Sequence, residues 1–321
     1  MKRVLVTGCS GFVGRTCCEV LTVAGYSVLG ATRSDSQRLA AVTDTVAVGE
    51  IRGDTDWSEA LDDVDFVVHL AARAHVLNDA LENAGLYDET NALGTRRLAE
   101  AAAAAGVRRF VYLSSVKVNG EVTTTRPFTA ADEPRPVDSY GRSKWLGEKA
   151  LLEIARESRM EATIVRSPLV YGPGVRANFL RLMKCVDRNW PLPLGGIRNS
   201  RSLVSVWNLT DLIVHVLEHV AAPGNIWMVS DGEDLSTPAL VRRIGRAMNR
   251  KVWLPPIPAS MLQLGAALLN KQLEMARLCS SLSIDIDRTR RELDWTPPVT
   301  VDESLARTVT WYLSEKRSRG A

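Results

Sequence analysis

The feature that most constrains the fold is a strand-like segment that runs directly into a glycine-rich turn near the start of the chain. Residues 2–7 (KRVLVT) are mostly apolar and rich in β-branched side chains, and residues 8–14 have the spacing G-x-x-G-x-x-G. A helical pattern then runs from Phe12 until Gly25 stops it. A strand, a glycine turn and a helix in this order predict an α/β fold that binds the pyrophosphate of a dinucleotide at the helix N-terminus.

Strands and helices continue to alternate through the first half of the chain. Further helices are predicted at residues 95–105 and 140–156. Buried strands are predicted at Val4 to Thr7, Ser27 to Ala31, Val46 to Val48, Phe66 to Leu70, Arg109 to Ser114 and Ala162 to Arg166. This order predicts a Rossmann-like, doubly wound parallel sheet with helices on both faces.

The texture of the sequence changes after Pro168. Glycine and proline become dense at residues 171–174 (YGPG) and 190–196 (WPLPLGG), and the strict alternation of strands and helices is lost. We therefore expect a Rossmann domain over residues 1–167, with one more strand returning to the main sheet near residues 202–212. Residues 168–321 are expected to form mainly a smaller, irregular substrate-binding lobe.

Composition argues against several classes of protein. The 321 residues carry a net charge of +3 and the basic residues are scattered, so the sequence indicates no nucleic-acid-binding surface. The apolar stretch at residues 261–269 is far shorter than the roughly 20 residues of a membrane span. It predicts a core-facing helix and leaves open only contact with a membrane surface. Five cysteines without metal-ligand spacing, and no signal-peptide pattern, favour reduced thiols in a cytoplasmic protein.

Tyr140 and Lys144 are the pair that points most directly to catalysis. They lie four residues apart in a predicted helix, so the phenol and the ammonium share one face and can reach one cleft. A cation there favours loss of the phenolic proton, which makes tyrosine usable as an acid and a base. Ser115 follows a predicted strand and supplies a hydroxyl. The alternative is an ordinary surface helix, with Ser115 as a strand-end cap.

The end of the second predicted strand bears on the choice of cofactor. An acidic residue there would bind the ribose hydroxyls of NAD and repel the 2′-phosphate of NADP. Thr32 occupies that place and Arg33 follows, so a hydroxyl and a guanidinium are available for a phosphate. We therefore favour NADP(H) over NAD(H). Asp35 lies close by and complicates this interpretation, and a solvated Arg33 is the alternative to it.

Six motifs occur in the order found in a known family. They are Thr7-Gly8-x-x-Gly11-x-x-Gly14, His69-Leu70-Ala71-Ala72, Asn91-x-x-Gly94-Thr95, Leu113-Ser114-Ser115, Tyr140-x-x-x-Lys144 and Tyr171-Gly172-Pro173-Gly174. In these motifs the chain resembles the extended short-chain dehydrogenases/reductases of the NAD-dependent epimerase/dehydratase family. Residues 115–121 (SVKVNGE) further resemble bacterial O-antigen (lipopolysaccharide) enzymes, namely UDP-hexose 4-epimerases and UDP-N-acetylquinovosamine 4-ketoreductases.

The resemblance implies a role for each matching residue. Tyr140 would exchange a proton with the sugar oxygen while a hydride passes between the sugar carbon and the nicotinamide ring, and Ser115 would bind the same oxygen. Lys144 would hold the nicotinamide ribose and help to lower the pKa of Tyr140. Asn91 would support this geometry, or simply bond to nearby backbone. The implied cofactor contacts are Gly8, Gly11, Phe12, Val13, Gly14, Thr32, Arg33, Glu50, Ile51, Leu70, Ala71, Ala72, Asn91, Tyr140, Lys144 and Pro168.

The resemblance also implies how a nucleotide-sugar would be held. Arg201 matches the phosphate-binding arginine of the family, Arg277 is a candidate for a second one, and Asn178 matches an asparagine that helps to hold the nucleotide. Each has an ordinary alternative as a solvated charge or a capping amide. Asn208 stands where relatives often have Asp, which leaves the local hydrogen-bond pattern open. UDP is the implied nucleotide, and a homodimer is usual in the family.

The residues after Ser115 narrow the reaction. Related sugar 4,6-dehydratases carry an Asp-Glu pair where this chain has Val116 and Lys117, so the extra acid and base that expel water are missing. Because no acid stands at Thr32, we favour reduction at C4 of a UDP-4-keto-6-deoxy-(N-acetyl)hexose with NADPH. One alternative is a UDP-glucose or UDP-N-acetylglucosamine 4-epimerase with tightly bound NAD. The other is a catalytically silent, dinucleotide-sensing regulator on the same fold.

Overall fold

The computed structural model of the protein describes residues 1–34, 41–74, 84–258, 260–262 and 272–320. Asp35 and most of the apolar stretch at residues 261–269 lie outside these ranges. Within the described ranges, no helix combines the length and the apolar character that crossing a membrane requires.

A seven-stranded parallel sheet lies at the centre of the described structure. The strands along the chain are β1 (Arg3–Thr7), β2 (Ser27–Thr32), β3 (Asp44–Ala47), β4 (Phe66–His69), β5 (Arg109–Ser115), β6 (Glu161–Ser167), β7 (Leu169–Tyr171), β8 (Leu203–Ser205) and β9 (Asn225–Met228). The main sheet has the order β3-β2-β1-β4-β5-β6-β9, with every neighbouring pair parallel. This confirms the predicted doubly wound sheet. Because the order reverses between β1 and β4, the carboxyl ends of these strands border the crevice where such folds bind ligands.

Helices pack on both faces of this sheet. They are α1 (Phe12–Val23), α2 (Ala84–Tyr87), α3 (Gly94–Ala104), α4 (Ser139–Glu157), α5 (Ala177–Asp187), α6 (Val206–Glu218), α7 (Thr237–Ala247), α8 (Gln272–Cys279), α9 (Asp287–Glu292) and α10 (Val301–Gly320), with a π-helical turn at Asp88–Leu93 and a 3₁₀ turn at Val116–Val118. Side chains of α1 and α6 join the core on one face, and those of α3 and α4 join it on the other. The helices predicted from the sequence are present, displaced by at most one residue at either end.

The strand expected to return to the main sheet near residues 202–212 forms elsewhere. Strand β8 is present, but it pairs with β7 in a separate two-stranded parallel sheet. The buried Pro168 separates β6 from β7, and because proline has no N–H it ends the ladder at that point. The chain instead comes back through α6, which packs against α1, and through β9, which pairs with β6. The prediction for residues 202–212 was therefore wrong about the pairing of this strand.

A second apolar core lies beside the main sheet. Tyr171 stacks on Phe179 of α5 with their ring centroids 5.2 Å apart, and buried side chains of α7 and α10 complete the cluster around them. Phe12, in the first turn of α1, packs against the same cluster. The later part of the chain therefore adjoins the glycine turn, where the predicted cofactor site lies.

Candidate active site

The turn after β1 is too tight to accept a side chain at any of its three glycines, Gly8, Gly11 and Gly14. A Cβ atom added at Gly14 would lie 2.0 Å from the carbonyl oxygen of Gly8. Helix α1 begins next to this turn without a side-chain cap and without an acidic residue in its first turn. The first amides of a helix have no intrahelical acceptor, and the helix dipole makes them attractive to anions. The turn is therefore shaped to hold a pyrophosphate group.

Of the two cofactor-binding residues predicted at the end of β2, Thr32 is buried and Arg33 is exposed to solvent. The Thr32 Oγ1 lies 3.1 Å from the Ser34 carbonyl oxygen and 3.2 Å from that of Val46. The local backbone thus occupies the Thr32 hydroxyl, which leaves Arg33 as the group available to a ligand.

A carboxylate with three arginines around it lies near the same strand end. Glu50 is exposed and pairs with Arg52, and this interaction lowers the pKa of Glu50, with smaller contributions from the charges of Arg33 and Arg73. Arg52 and Arg73 were not singled out from the sequence, because they follow different strands and only the fold brings them to one edge. The surplus of positive charge favours an anionic ligand at this corner.

A chain of hydrogen bonds fixes the end of β4 next to the glycine turn. Thr7 Oγ1 lies 2.6 Å from Nδ1 of the buried His69, and Nε2 of His69 lies 3.0 Å from Thr95 Oγ1. The backbone N–H of Ala71 donates to Thr7 Oγ1 at 3.2 Å. These bonds hold the segment containing Leu70, Ala71 and Ala72 against the first strand. The predicted cofactor contacts in this segment therefore lie at the carboxyl ends of β1 and β4.

Asn91 ties the segment after β4 to the helix that carries Tyr140. It lies in the π-helical turn, is 1% exposed, and exchanges two hydrogen bonds with the backbone of Arg73, at 2.8 and 3.0 Å. Its Nδ2 also donates to Ser143 Oγ at 3.0 Å. Isolated π-helical turns occur often at functional sites. Both sequence interpretations of Asn91 therefore apply, because it bonds to backbone and also supports helix α4.

Ser115 and Tyr140 meet at the carboxyl end of β5. Ser115 is the last residue of that strand, and its Oγ accepts the Lys117 N–H at 3.2 Å. The Ser115 side chain acts on the Tyr140 phenol and lowers its pKa, against the larger effect of burial. Tyr140 follows the N-cap of α4, where Asp138 Oδ1 accepts the Gly141 N–H at 2.7 Å. Two of the three predicted catalytic residues therefore lie at neighbouring element ends, Ser115 at the end of β5 and Tyr140 at the start of α4.

Lys144 is a buried amine without a carboxylate partner among the described residues. Its side chain is 1% exposed, and Nζ lies 3.9 Å from the centroid of the Tyr112 ring. Glu148, one turn further along α4, is instead engaged by Arg166 at 2.6 and 2.9 Å. Burial lowers the pKa of Lys144 to about 7, and the charge of Glu148 partly opposes this shift. The amine is therefore free to bind another group.

The environment of Tyr140 favours the protonated phenol in the protein alone. Burial is the largest cause that raises its pKa to about 12, followed by the charge of Asp138. The ring of Tyr87 lies edge-on to that of Tyr140, with centroids 6.2 Å apart. A phenolate at neutral pH therefore needs added positive charge in the cleft, of the kind that a protonated Lys144 or an oxidised nicotinamide supplies.

The arginines predicted to hold a diphosphate lie next to one another. Arg201 is largely shielded from water, and burial lowers the pKa of its guanidinium; Nη1 donates to the carbonyl oxygens of Arg277 (2.7 Å) and Ser280 (3.0 Å). Arg277 is exposed, and its Nη2 lies 3.9 Å from Glu121. In the described residues, Arg201 has no acidic partner within salt-bridge distance. A partly buried cation without a counter-ion suits an anionic ligand.

Two predicted asparagines occupy different settings. Asn178 is exposed in the first turn of α5, a helix that starts without a side-chain cap. Asn208 is fully buried, donates to Asp231 at 2.7 Å and exchanges bonds of 2.8 and 2.9 Å with the backbone of Val299. Asn178 is therefore accessible to a ligand, whereas Asn208 joins α6 to the segment before α10.

Comparison with known proteins identifies the family. Residues 4–230 match the NAD dependent epimerase/dehydratase family. A UDP-glucose 4-epimerase of Vibrio cholerae is 42% identical over 316 residues, which cover 97% of this chain and 96% of that protein. The chain therefore belongs to the NAD-dependent epimerase/dehydratase family, as its motifs predicted. It is an enzyme of the extended short-chain dehydrogenase/reductase type.

Solved structures share the fold over nearly the whole chain. The UDP-glucuronic acid 4-epimerase of Bacillus cereus, in complex with NAD, has a TM-score of 0.78 at 21% identity and covers 98% of this chain and 99% of its own. The UDP-glucose 4-epimerase of Thermotoga maritima, solved with UDP-glucose, gives the same TM-score, identity and coverage. These likenesses confirm the predicted fold class.

The described residues fit the nicotinamide dinucleotide on which the family depends. The glycine turn has no room for side chains, α1 begins uncapped beside it, and the buried Lys144 lacks a carboxylate partner. These features lie at the carboxyl edge of the sheet, where a dinucleotide binds in such folds.

Proposed function

We propose that this protein is a UDP-hexose 4-epimerase that uses NAD. The observation that carries the proposal is that the Ser115 side chain acts on the Tyr140 phenol, one helical turn from the buried Lys144, in a chain 42% identical to a UDP-glucose 4-epimerase. The favoured sequence-based function was single reduction of a 4-keto sugar, and the similarity instead favours the epimerase alternative. A silent regulator is set aside, because the chain is an enzyme of its family and retains all three side chains.

The three side chains have complementary tasks in this reaction. Tyr140 removes the proton of the sugar C4 hydroxyl as the C4–H bond breaks, and Ser115 donates a hydrogen bond to the same oxygen. The bound nicotinamide ring supplies the hydride chemistry. After the 4-keto sugar turns over in the cleft, the hydride would return to the opposite face of C4, which inverts that carbon, while Tyr140 returns its proton to the oxygen. Lys144 holds the nicotinamide ribose and stabilises the phenolate form of Tyr140.

The proposed substrate contacts are Arg201, Arg277 and Asn178. Arg201 and Arg277 bind the diphosphate, because planar guanidinium groups match phosphate oxygens in pairs. Asn178, accessible at the start of α5, contacts the nucleotide. UDP is the proposed nucleotide because the relative from Vibrio cholerae is a UDP-glucose 4-epimerase.

We also propose that the protein forms a homodimer. Light scattering after gel filtration tests this by measuring the molar mass in solution.

A second candidate function is the 4-ketoreductase with NADPH. The observation that favours it is the basic corner near β2, where Arg33, Arg52 and Arg73 influence Glu50 and no acid occupies residues 32–34. Such a corner suits the 2′-phosphate of NADP. A reductase releases its oxidised cofactor in every turnover, whereas an epimerase retains NAD.

One assay separates the two functions. The purified protein is incubated with UDP-glucose, and separately with UDP-N-acetylglucosamine, without added cofactor, and the products are resolved by chromatography. We expect the C4 epimer to form and Tyr140→Phe to abolish its formation. Parallel samples contain UDP-4-keto-6-deoxy-N-acetylglucosamine and NADPH, and nicotinamide absorbance is followed. Loss of NADPH in these samples, with no epimer in the others, would replace the epimerase by the reductase.

A further inference from the structure

Lys117 connects the two chain segments that carry Ser115 and Tyr140. It lies in the 3₁₀ turn directly after Ser115, and its Nζ donates to Glu121 at 3.0 Å and to the carboxylate of Asp138. Asp138 is the N-cap of α4, two residues before Tyr140, and its side chain is only 15% exposed. A single ammonium group therefore joins the strand-end turn to the start of the catalytic helix.

The backbone of the same residue shapes both sides of this junction. The Lys117 N–H donates to Ser115 Oγ, so the Ser115 hydroxyl hydrogen remains available for another acceptor. The start of α4 lies so close that a Cβ at Gly141 would come 2.7 Å from the Lys117 carbonyl oxygen. The ion pair with Asp138 thus closes a contact that the backbone already makes tight.

Asp138 is the negative charge with the largest effect on the pKa of Tyr140. After burial it is the largest cause that raises the Tyr140 pKa, because a carboxylate disfavours a second negative charge beside it. The other titratable or charged groups around Tyr140 are Tyr87 on α2, Tyr112 on β5, Lys144 and Arg142 on α4, and Asp88, which pairs with Arg142. Among the described residues, Lys117 is the cation that forms a salt bridge with Asp138.

We propose that Lys117 is a positioning residue that neutralises Asp138 and holds the start of α4 against Ser115, so that Tyr140 can serve as the base of the reaction. The proposal rests on the proposed function and adds a residue to it. Lys117 stands at a position where related dehydratases carry an acid, and the proposal explains why a cation lies there in this chain. Through Glu121, 3.9 Å from Arg277, the same cluster reaches the proposed diphosphate side of the cleft.

A set of charge variants tests this role. Lys117→Gln removes the neutralising charge, whereas Asp138→Asn removes the carboxylate and retains a good N-cap side chain. The double variant removes both, and Lys117→Arg restores a cation. Lys149→Gln is the matched control, because it also removes a lysine charge. Lys149 is exposed on α4, the helix that Asp138 caps, and contacts Trp145. Thermal unfolding checks that each variant is folded.

Two readouts keep this proposal separate from the proposed function. The first is the pH dependence of kcat/KM for epimerisation. The second is a ¹³C NMR titration of the tyrosine ring carbons with NAD present, which needs no turnover. The chain has six tyrosines, and loss of one signal in Tyr140→Phe assigns it. If no epimerase activity exists, the titration still decides whether Lys117 controls Tyr140.

We expect Lys117→Gln to raise the apparent pKa of Tyr140 by roughly half a unit to one unit, and Asp138→Asn to lower it by a similar amount. The rate at neutral pH then falls by about three- to tenfold in Lys117→Gln, with recovery at higher pH. The double variant and Lys117→Arg return both readouts to near the wild-type values, and Lys149→Gln changes neither. Equal losses of rate at every pH, with an unmoved Tyr140 titration, would overturn the proposal.

Discussion

The side-chain nitrogen of Lys144 lies 3.9 Å from the centroid of the Tyr112 ring, in the interior of the protein. The same ring stacks on His69, with centroids 5.5 Å apart. An aromatic face stabilises a cation less than a carboxylate does, yet it leaves the hydrogen-bond donors of the cation unused. The arrangement therefore leaves the hydrogen-bond donors of Lys144 available to a ligand, at a cost to folding stability.

Replacing Lys144 with Met should stabilise the protein and inactivate it. Burial lowers the pKa of Lys144 from 10.5 to about 7, so between these pH values the unfolded chain binds a proton that the folded chain does not. The resulting penalty is complete below about pH 7 and disappears as pH rises through 10.5. Urea unfolding at neutral pH should show a gain of about 2–5 kcal/mol in Lys144→Met. No gain, or the same gain in the exposed Lys149→Met, would contradict this expectation.

Tyr140→Phe should lose turnover while the protein still binds its cofactor. Removing a general acid–base group lowers rates by at least about a hundredfold. The ring packing against Tyr87 stays, so the melting temperature should change little. Activity is measured with the UDP-sugar that the wild type converts, and cofactor binding by nicotinamide fluorescence. A variant with near-normal turnover would show that another residue moves the proton.

Gly147→Ala should weaken both the fold and the active site. A Cβ at this position of α4 would lie 2.6 Å from the Asn91 carbonyl oxygen and 2.6 Å from the Tyr112 hydroxyl. Overpacking of this kind costs about 1–3 kcal/mol. Gly85→Ala in α2 is the control, since a Cβ there meets no atom within 4 Å. Chemical denaturation of both variants tests the difference, and similar stability in the two would contradict the close approach of α4 to Asn91.

Stability should fall in mild acid because of His69. Burial, and next the charge of Lys144, lowers the pKa of His69 from 6.5 to about 3. Between these two pH values His69 binds a proton in the unfolded chain but not in the folded chain. Stability therefore decreases as pH falls below 6.5. His69 contributes up to about 1.4 kcal/mol per pH unit. Unfolding free energies at neutral and acidic pH should show a flatter slope in His69→Gln, and an unchanged slope would show that other groups dominate.

Arg33→Ala should weaken NADPH binding by about tenfold or more and leave NADH binding nearly unchanged, since only NADPH carries the 2′-phosphate. Titration of the reduced cofactors, followed by fluorescence, measures both constants. The exposed Arg159, which follows α4, supplies the control substitution Arg159→Ala. Equal effects of Arg33→Ala on the two cofactors would remove the case for NADP and leave the epimerase with NAD.

Local patterns were sufficient for six of the seven strands of the main sheet and for three of the helices packed on it. Strands β1 to β6 and helices α1, α3 and α4 follow from apolar runs and helical periodicity, because each pattern is confined to a few consecutive residues. The partner of β8 could not be read in this way. Pairing depends on which edge is open once Pro168 has ended β6, and that edge is taken by β9, a four-residue strand with a weak sequence signal.

The candidate site shows the same division. The motifs indicated Ser115, Tyr140 and Lys144, and in the structure the Ser115 side chain influences the pKa of Tyr140. The buried pair of Arg166 and Glu148 behind α4 was missed, because nothing in the sequence says that two charges on separate elements meet in the interior. The only signal was that Glu148 lies one helical turn after Lys144. The ion pair of Lys117 with Asp138 was missed for the same reason.

Strand β9 and helix α6 follow β8 in the chain, yet β9 pairs with β6 of the main sheet and α6 packs against α1. A cut after Ser167 would strip β6 of its neighbour and uncover the apolar face of α1. The two halves of this chain therefore do not form units that could be exchanged separately, and each depends on the other for a complete sheet.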